Sequence, residues 1–272
     1  MLRMKKITLD NPFAAPVFHR EITASTMLDA RTLAEHGKPH GSVVAADVQE
    51  AGRGRVPTRP WKSEKGQNLL FTILLRYSGI AAIPPAVTLR TGLALALAIE
   101  DFAPALQGRL RVKWPNDVMI PLPSGTHGKI AGILTEGDGE NVYIGIGVNV
   151  GQAEFPPDIR DKAGSIALAL RVASLPPDSR FRLLEAFLRR LHAEIEGPST
   201  TGSWRERLEE RLYLNGRRVR FIAGAADSGR VVEGVLCGIG VGGELLIQGQ
   251  HGTEAFVTGE LEAYYTALGM KL

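Results

Sequence analysis

Two apolar runs, residues 42–48 and 68–76, flank the segment Gln49-Glu50-Ala51-Gly52-Arg53-Gly54-Arg55-Val56-Pro57-Thr58-Arg59-Pro60-Trp61. Both runs are typical of buried strands. Glycine lets the backbone of the segment approach a ligand closely, and arginine offers a planar fork of donors that suits phosphate. Taken alone, the segment is more typical of a solvated basic turn. Its interpretation therefore depends on the motifs that follow it.

The composition indicates a folded chain with a sizeable core. Of 272 residues, 44% are hydrophobic, so one or two domains are expected. The 32 basic and 29 acidic residues leave a net charge of +3, which does not suggest a bulk nucleic-acid binder. Cys237 is the one cysteine, which excludes an intrachain disulfide. Its apolar neighbours predict a small buried side chain.

No run of about 18 apolar residues is present, and the N-terminal residues lack the features of a secretory signal. We therefore expect a soluble, cytoplasmic protein that does not associate with membranes.

The order of predicted elements divides the chain into three parts. Residues 1–16 are expected to form a loose tail. Residues 17–214 contain predicted strands (17–22, 42–48, 68–76, 109–114, 129–136, 141–150), the last two as a hairpin, and predicted helices (26–36, 86–102, 163–170, 178–195, 203–212). Residues 215–272 contain short strands (217–222, 229–239, 243–248, 254–258) with glycine-rich turns. This pattern is typical of a small barrel or sandwich, so we place a domain boundary near residue 214.

The motif Lys113-Trp114-Pro115-Asn116-Asp117 follows a predicted strand. Ligands of α/β folds commonly bind at strand ends, so the Asn116 amide and the Asp117 carboxylate are candidates for a site. Asp117 could hold a metal ion or accept a proton. The alternative is an Asn/Asp turn that bonds its own backbone.

Lys129 begins an otherwise apolar strand, and Gly132 lies inside it. The lysine is either a solvated strand start or a charge directed into a site. A glycine inside a strand indicates a bulge or the close approach of a ligand. On the next strand Gly145, Gly147 and Asn149 share one face, which would suit a planar ligand ring; tight backbone packing is the alternative.

Several common catalytic motifs are absent from the sequence. It contains no Gly-x-Ser-x-Gly elbow, no phosphate-binding Gly-x-x-x-x-Gly-Lys-Ser/Thr loop and no His/Cys pattern with metal-ligand spacing. The remaining candidates are cations, one carboxylate, amides and strand glycines. These groups suit the positioning and charge stabilisation of a phosphoryl or adenylyl transfer.

Four motifs in this order resemble those of biotin protein ligases. They are Gly52-Arg53-Gly54-Arg55, Lys113-Trp114-Pro115-Asn116-Asp117, Lys129-Ile130-Ala131-Gly132-Ile133-Leu134 and Gly145-Ile146-Gly147-Val148-Asn149, with Ser25-Thr26 upstream. The resemblance extends from residue 17 to the C-terminus. It implies an α+β fold with a mixed-sheet, class II synthetase-like catalytic domain at residues 17–214. A small SH3-like β-barrel would follow at residues 215–272.

The resemblance also implies a reaction and its partners. Such enzymes form biotinyl-5′-AMP from biotin and MgATP and then transfer biotin to a lysine of a carboxyl carrier domain of acetyl-CoA carboxylase. A homodimer is compatible with the resemblance. About 16 residues precede the catalytic domain, too few for a winged helix-turn-helix, so DNA binding is not expected.

Site residues follow from the resemblance, position by position. Biotin would contact Ser25, Thr26, Gln49, Arg53, Gly54, Arg55, Lys129 and Gly132. ATP would contact Arg53, Arg55, Trp61, Asn116, Lys129 and Asn149. The catalytic groups would be Lys129, Arg53, Arg55 and Asp117, with Asp117 also the candidate Mg²⁺ ligand.

This chain departs from the family pattern at several places. Met27 replaces a usual asparagine after Ser25-Thr26, and Val56 to Pro60 adds one residue and two prolines, which should stiffen the loop. The segment between Asp117 and Lys129 is also longer than usual. A lipoate or octanoyl ligase and a biotin sensor without turnover are the alternatives; Gly52-Arg53-Gly54-Arg55 favours biotin, and the presence of Lys129 and Asp117 favours turnover.

Overall fold

The computed structural model describes residues 4–55, 61, 63–197, 203–224 and 229–263. The departure at Val56 to Pro60 therefore lies outside the described residues. An eight-stranded sheet in the order β1-β2-β3-β4-β8-β7-β6-β5 forms the larger part. Its strands are β1 Lys5–Ile7, β2 Val17–Thr23, β3 Ser42–Gln49, β4 Asn68–Arg76, β5 Arg111–Lys113, β6 Asp117–Pro121, β7 His127–Gly137 and β8 Asn141–Asn149. The helices are α1 Thr26–Glu35, α2 Val87–Phe102, α3 Ile166–Leu170, α4 Ser179–Ile195 and α5 Trp204–Glu209.

The large sheet is mixed, as the resemblance implies: β2 and β3 pair in parallel, and the other neighbours are antiparallel. Side chains alternate between the two faces of each strand. On β4, Phe71 and Ile73 face the core that includes residues of α2 and α4. Leu74 faces the opposite side of the sheet, where it packs in the cluster that includes residues of α1.

The α1 helix begins where the sequence predicts. The Ser25 side chain caps it by accepting a hydrogen bond from the backbone of Met27, which satisfies an otherwise unpaired helix donor. Met27 is buried with Leu74 and Tyr143. The cap therefore fixes Ser25 and Thr26 at the end of β2, beside the end of β3.

The segment Ile80–Phe102 is long and apolar enough to cross a membrane by length and composition alone. In the fold its helical part, α2, is a core element with Leu93, Leu95 and Ile99 buried. The three charged residues of α2 are paired: Arg90 with Glu194 of α4, Glu100 with Arg211, and the exposed Asp101 with Arg190 of α4. Buried charges of this kind require such partners.

The C-terminal strands form a second, five-stranded antiparallel sheet in the order β12-β11-β10-β9-β13. They are β9 Arg218–Ala223, β10 Arg230–Ile239, β11 Leu245–Gly249, β12 Gly252–Phe256 and β13 Gly259–Ala263. Their core is shared with Leu89, Val112 and Trp114 of the larger part. Trp114 packs edge-on against Phe221 and donates a hydrogen bond from Nε1 to the Gly243 carbonyl, 3.0 Å away. This second sheet is therefore packed directly beside the Trp-Pro-Asn-Asp motif.

Three expectations differ from the structure. Residues 5–7, placed in a loose tail, pair with β2 as an antiparallel strand. Residues 117–121, expected as a turn and the start of a loop, form β6 between β5 and β7. Cys237, expected to be buried, is exposed, because β10 directs Val232, Gly234 and Leu236 inward and the alternate positions outward.

Candidate functional site

Most of the predicted site residues line one cavity over the central strands of the large sheet, including β4, β8 and β7, which we call the central cavity. Its walls include Ser25, Thr26, Gln49, Arg53, Gly54, Arg55, Trp61, Asn116, Lys129 and Gly132. Its volume is about 60 Å³, room for a few water molecules. Side chains must therefore move before a bicyclic ligand can occupy it.

One end of the central cavity is a buried polar cluster. Gln49 Oε1 accepts hydrogen bonds from the backbone and the hydroxyl of Thr26, at 2.8 and 3.0 Å. The Thr72 hydroxyl, fully buried on β4, donates to the Thr26 hydroxyl at 2.9 Å. Such fixed donors and acceptors suit a compact polar group such as a cyclic urea. Thr72 was not among the predicted site residues, although a polar residue inside the apolar run 68–76 could have indicated it.

Trp61 covers the glycines that were expected to accommodate a planar ring. A Cβ atom on Gly147 would lie 2.5 Å from the Trp61 ring, and one on Gly132 would lie 3.0 Å from it. Side chains larger than hydrogen are therefore excluded beneath the ring. The flat glycine surface is present, and the ring that lies on it is Trp61. Gly145, on the same face, lies beside Met27, so Met27 contributes packing where a polar contact was in doubt.

Lys129 and Asp117 form an ion pair of 2.6 Å between Nζ and Oδ1. Residues 129 and 132 would normally face opposite sides of a strand. The pairing of β6 with β7 contains a bulge, since Val118 lies opposite Ala131 and Met119 lies opposite Lys129. The extra residue returns Lys129 to the face of Gly132, and the Lys129 ammonium would be 3.1 Å from a Cβ placed there.

Two further cavities meet the central one. The β8 cavity, about 600 Å³, is lined by Asn149, Gln152 and Phe155. The barrel cavity, about 160 Å³, is lined by Lys113, Asp117 and Glu260. Lys129 and Trp61 line all three cavities, so the lysine lies at their junction.

Lys113 belongs to the Trp-Pro-Asn-Asp motif but was not selected as a site residue. In the barrel cavity, burial lowers the pKa of its ammonium, and the nearby Asp117 opposes this shift. Asn116 lies beside Asp117, and its side chain donates to the Ile133 carbonyl at 2.8 Å. The Asn116 amide thus braces β7.

Arg53 and Arg55 line the central cavity, but their guanidinium groups bind other partners than Lys129. Arg53 pairs with Glu136 at 2.7 Å. Arg55 donates to the carbonyl of Gly259, at the start of β13, at 3.1 Å. The structure therefore does not bring these predicted catalytic groups into contact with Lys129.

Among the described residues, no group of three or more His, Cys, Asp or Glu side chains could hold a metal ion. A cation at Asp117 would need its remaining ligands from water or a phosphate. Mg²⁺ commonly binds in this way, through one or two carboxylates together with substrate phosphates.

Comparison with known proteins shows which proteins this chain resembles. A family model described as "Biotin/lipoate A/B protein ligase family" matches residues 20–150. Over 160 residues the chain is 35% identical to the "Bifunctional ligase/repressor BirA" of Bacillus subtilis (strain 168), covering 56% of this chain and 46% of that protein. Over 178 residues it is 33% identical to the "Biotin--[acetyl-CoA-carboxylase] ligase" of Mycobacterium tuberculosis, covering 64% and 61%. The matched region thus spans about half the length of these curated relatives.

Solved structures agree with the fold. The biotin protein ligase of Aquifex aeolicus in complex with biotin and ATP superposes with a TM-score of 0.68 at 25% identity. The superposition covers 90% of this chain and 97% of that one.

Proposed function

We propose, from the match of residues 20–150 to the biotin/lipoate A/B protein ligase family model, that this chain is an ATP-dependent biotin protein ligase. It would form biotinyl-5′-AMP from biotin and ATP and then transfer biotin to a lysine of a carrier domain. The observation that carries the proposal is the position of Lys129 at the junction of three cavities. Two substrates and an acceptor amine must meet at one such point.

The central cavity is the proposed biotin site. The cluster of Thr26, Gln49 and Thr72 offers a hydroxyl and an amide to the ureido ring. Gly132 leaves room beside the Lys129 ammonium, so the acid end of the ligand would reach that charge. Ser25, Gly54 and the loop arginines line the same cavity.

The β8 cavity is the proposed nucleotide site. Asn149 lines it, and Trp61 lies between it and the central cavity. Movement of Trp61 off Gly147 would open the central cavity and offer its ring to the purine. Aromatic rings stack favourably in this manner.

In the first step a carboxylate oxygen of biotin attacks the α-phosphorus of ATP. The bond from that phosphorus to the bridging oxygen breaks, and pyrophosphate leaves with the electron pair. Two anions must approach each other, so a fixed cation lowers the barrier. Lys129 is positioned for this role, and Arg53 and Arg55 would add charge if they leave Glu136 and Gly259.

In the second step the acceptor amine attacks the acyl carbon and AMP leaves. The amine must lose a proton, and Asp117 is the carboxylate nearest to Lys129. Asp117 could accept that proton, or it could hold Mg²⁺ against the phosphates in the first step. Closure over the site of the segment that carries Arg53 and Arg55, here called the arginine segment, would exclude water from biotinyl-5′-AMP, a mixed anhydride.

The proposed acceptor is the biotin carboxyl carrier domain of acetyl-CoA carboxylase, in keeping with the printed name of the Mycobacterium tuberculosis relative. An ATP-consuming reaction on such a carrier is expected in the cytoplasm.

The test is to incubate the protein with labelled biotin, ATP, Mg²⁺ and a purified carrier domain. Label on the carrier lysine is the expected result. Tight biotin binding without transfer would instead identify a sensor. Transfer of lipoate but not of biotin would overturn the substrate assignment.

A further inference from the structure

Met27 covers a glycine at one end of the central cavity, and Trp61 covers another glycine at the other end. A Cβ atom on Gly145 would lie 3.0 Å from the Met27 methyl carbon and 3.5 Å from the Thr72 hydroxyl oxygen. Gly147, two residues further along β8 and on the same face, lies under the Trp61 ring. The cavity, which Met27 and Trp61 both line, is therefore bounded by one of them at each end of this glycine surface.

The two bounding side chains differ in how firmly they are held. The Met27 backbone donates to the Ser25 hydroxyl at 3.3 Å. The Met27 side chain is 4% exposed and packs in the cluster that contains Leu74 and Tyr143. Trp61 is half-buried, and its indole N–H has no hydrogen-bond partner among the residues that the structure describes. We therefore expect an entering ligand to displace Trp61 and to leave Met27 in place.

The polar cluster of the central cavity lies next to Met27. Thr72 is directly opposite Gly145 in the pairing of β4 with β8, and its hydroxyl donates to the Thr26 hydroxyl at 2.9 Å. A ligand group that hydrogen-bonds to this cluster therefore lies within reach of the Met27 methyl. The thioether has no N–H or O–H to offer that group. Contact with Met27 consequently depends on size and shape.

We propose that Met27 is a specificity-determining residue, which limits the size of the cyclic urea head that the central cavity accepts. The inference rests on the proposed function, because it concerns the acid that the ligase would activate. A head with a larger atom at its polar end would overlap the Met27 methyl. The close-packed residues behind the methionine leave it little room to withdraw. The site therefore selects a cyclic urea over the corresponding thiourea.

Gly145 is predicted to act together with Met27. A methyl group at position 145 would push the flexible end of the methionine out of its present place. The cluster behind Met27 is packed, so the space available to the displaced side chain is the cavity itself. Gly145→Ala should therefore weaken biotin binding, and shortening Met27 should relieve the effect.

The first test compares the affinity of the full chain for biotin and for 2-thiobiotin, in which sulfur replaces the ureido oxygen. Calorimetric titration without nucleotide measures both. Wild-type protein should bind the thiourea more weakly by roughly tenfold, the usual effect of overfilling a packed site. In Met27→Ala this ratio should fall at least several-fold, because the larger atom gains room while biotin loses a contact.

Leu33→Ala is the matched control for Met27→Ala. Leu33 lies on the same helix, is 3% exposed and belongs to the same buried cluster, but it is not among the described residues that line the cavity. General loosening of α1 would change the ratio equally in both variants and would contradict the proposal. Met27→Leu, which nearly conserves volume and should fold if Met27→Ala does not, is one atom shorter and should shift the ratio in the same direction by less.

The second test is a double-mutant cycle with biotin itself. Gly145→Ala should weaken binding by roughly tenfold, and Gly145→Ala combined with Met27→Ala should recover most of that loss. Additive losses would mean that the two residues act independently and would contradict the proposed position of the methionine.

The outcomes separate the two proposals. Wild-type protein that binds biotin but forms no biotinyl-AMP from ATP would defeat the proposed function, because the binding comparison does not depend on turnover. Normal adenylation with an unchanged ratio of biotin to thiobiotin affinity in both Met27 variants would defeat the assignment of Met27 alone.

Discussion

The Nζ atom of Lys129 lies 2.6 Å from the Oδ1 atom of Asp117, and a single β-bulge between β6 and β7 makes this contact possible. Without the bulge Lys129 would face away from Gly132, the residue opposite Asp117. The lysine is about one-third exposed and the aspartate about one-fifth. The pair therefore remains open to substrate, and the incoming anions would compete with Asp117 for the ammonium.

Replacing Lys129 tests its charge in the first step. We expect Lys129→Ala to bind biotin and to form adenylate about 100- to 1,000-fold more slowly, because a cation facing the developing charge is lost. Lys129→Arg should recover part of the rate. Single-turnover formation of labelled biotinyl-AMP measures the effect, with Lys6→Ala, exposed on β1, as the control. An unchanged adenylation rate would remove Lys129 from this role.

Thr72→Val tests the polar cluster at the end of the central cavity. The substitution removes the hydroxyl that donates to Thr26 and keeps the side-chain shape. Biotin binding should weaken by roughly tenfold, the usual effect of one hydrogen bond in a buried site, and nucleotide binding should not change. Calorimetric titration measures both.

Thr91→Val is the matched control for Thr72→Val. Thr91 is equally buried, but it lies on α2 and donates to its own helix at the Val87 carbonyl. Equal loss of biotin affinity in the two variants would attribute the effect to general destabilisation and contradict the assignment of Thr72 to the site.

Much of this arrangement was predictable because its signals are local. The start of α1, the apolar runs of β3 and β4 and the glycines of β8 depend on residues close in sequence. The Lys129–Asp117 contact was not predictable, since it needs the β6 strand, which was missed, and the register of that strand against β7. Thr72 gains its meaning only when β4 and β8 are paired, which places it opposite Gly145. Cys237 was assigned wrongly because its apolar neighbours do not reveal which face of β10 it occupies.

The burial of Lys113 predicts how the free energy of unfolding changes with pH. Burial holds the pKa of its ammonium below the ordinary value of 10.5, so the unfolded chain binds more protons between the folded-state pKa and 10.5. The free energy of unfolding attributable to this group should therefore rise with pH through that interval and be lost as the pH falls through the folded-state pKa. Lys113→Met should flatten this part of the profile. Urea unfolding of both proteins from pH 7 to pH 10 measures it, and parallel profiles would show that burial does not perturb the lysine.

The ion pair between Arg53 and Glu136 predicts that charge removal at position 136 favours the ligand-bound state. Glu136 shares its two carboxylate oxygens between Arg53 and Arg31, so Arg53 must leave it before the arginine can face an adenylate. A half-exposed pair of this kind contributes about 0–1 kcal/mol. Glu136→Gln should therefore tighten binding of a non-hydrolysable biotinyl-AMP analogue by up to about fivefold. Asp138→Asn is the matched control, because Asp138 pairs with Arg31 and has no ion pair with Arg53 among the described contacts.

Trypsin offers a second measurement, since cleavage after Arg53 and Arg55 should slow when the analogue binds. Equal cleavage with and without the analogue, together with unchanged affinity in Glu136→Gln, would mean that the arginine segment does not close over the intermediate.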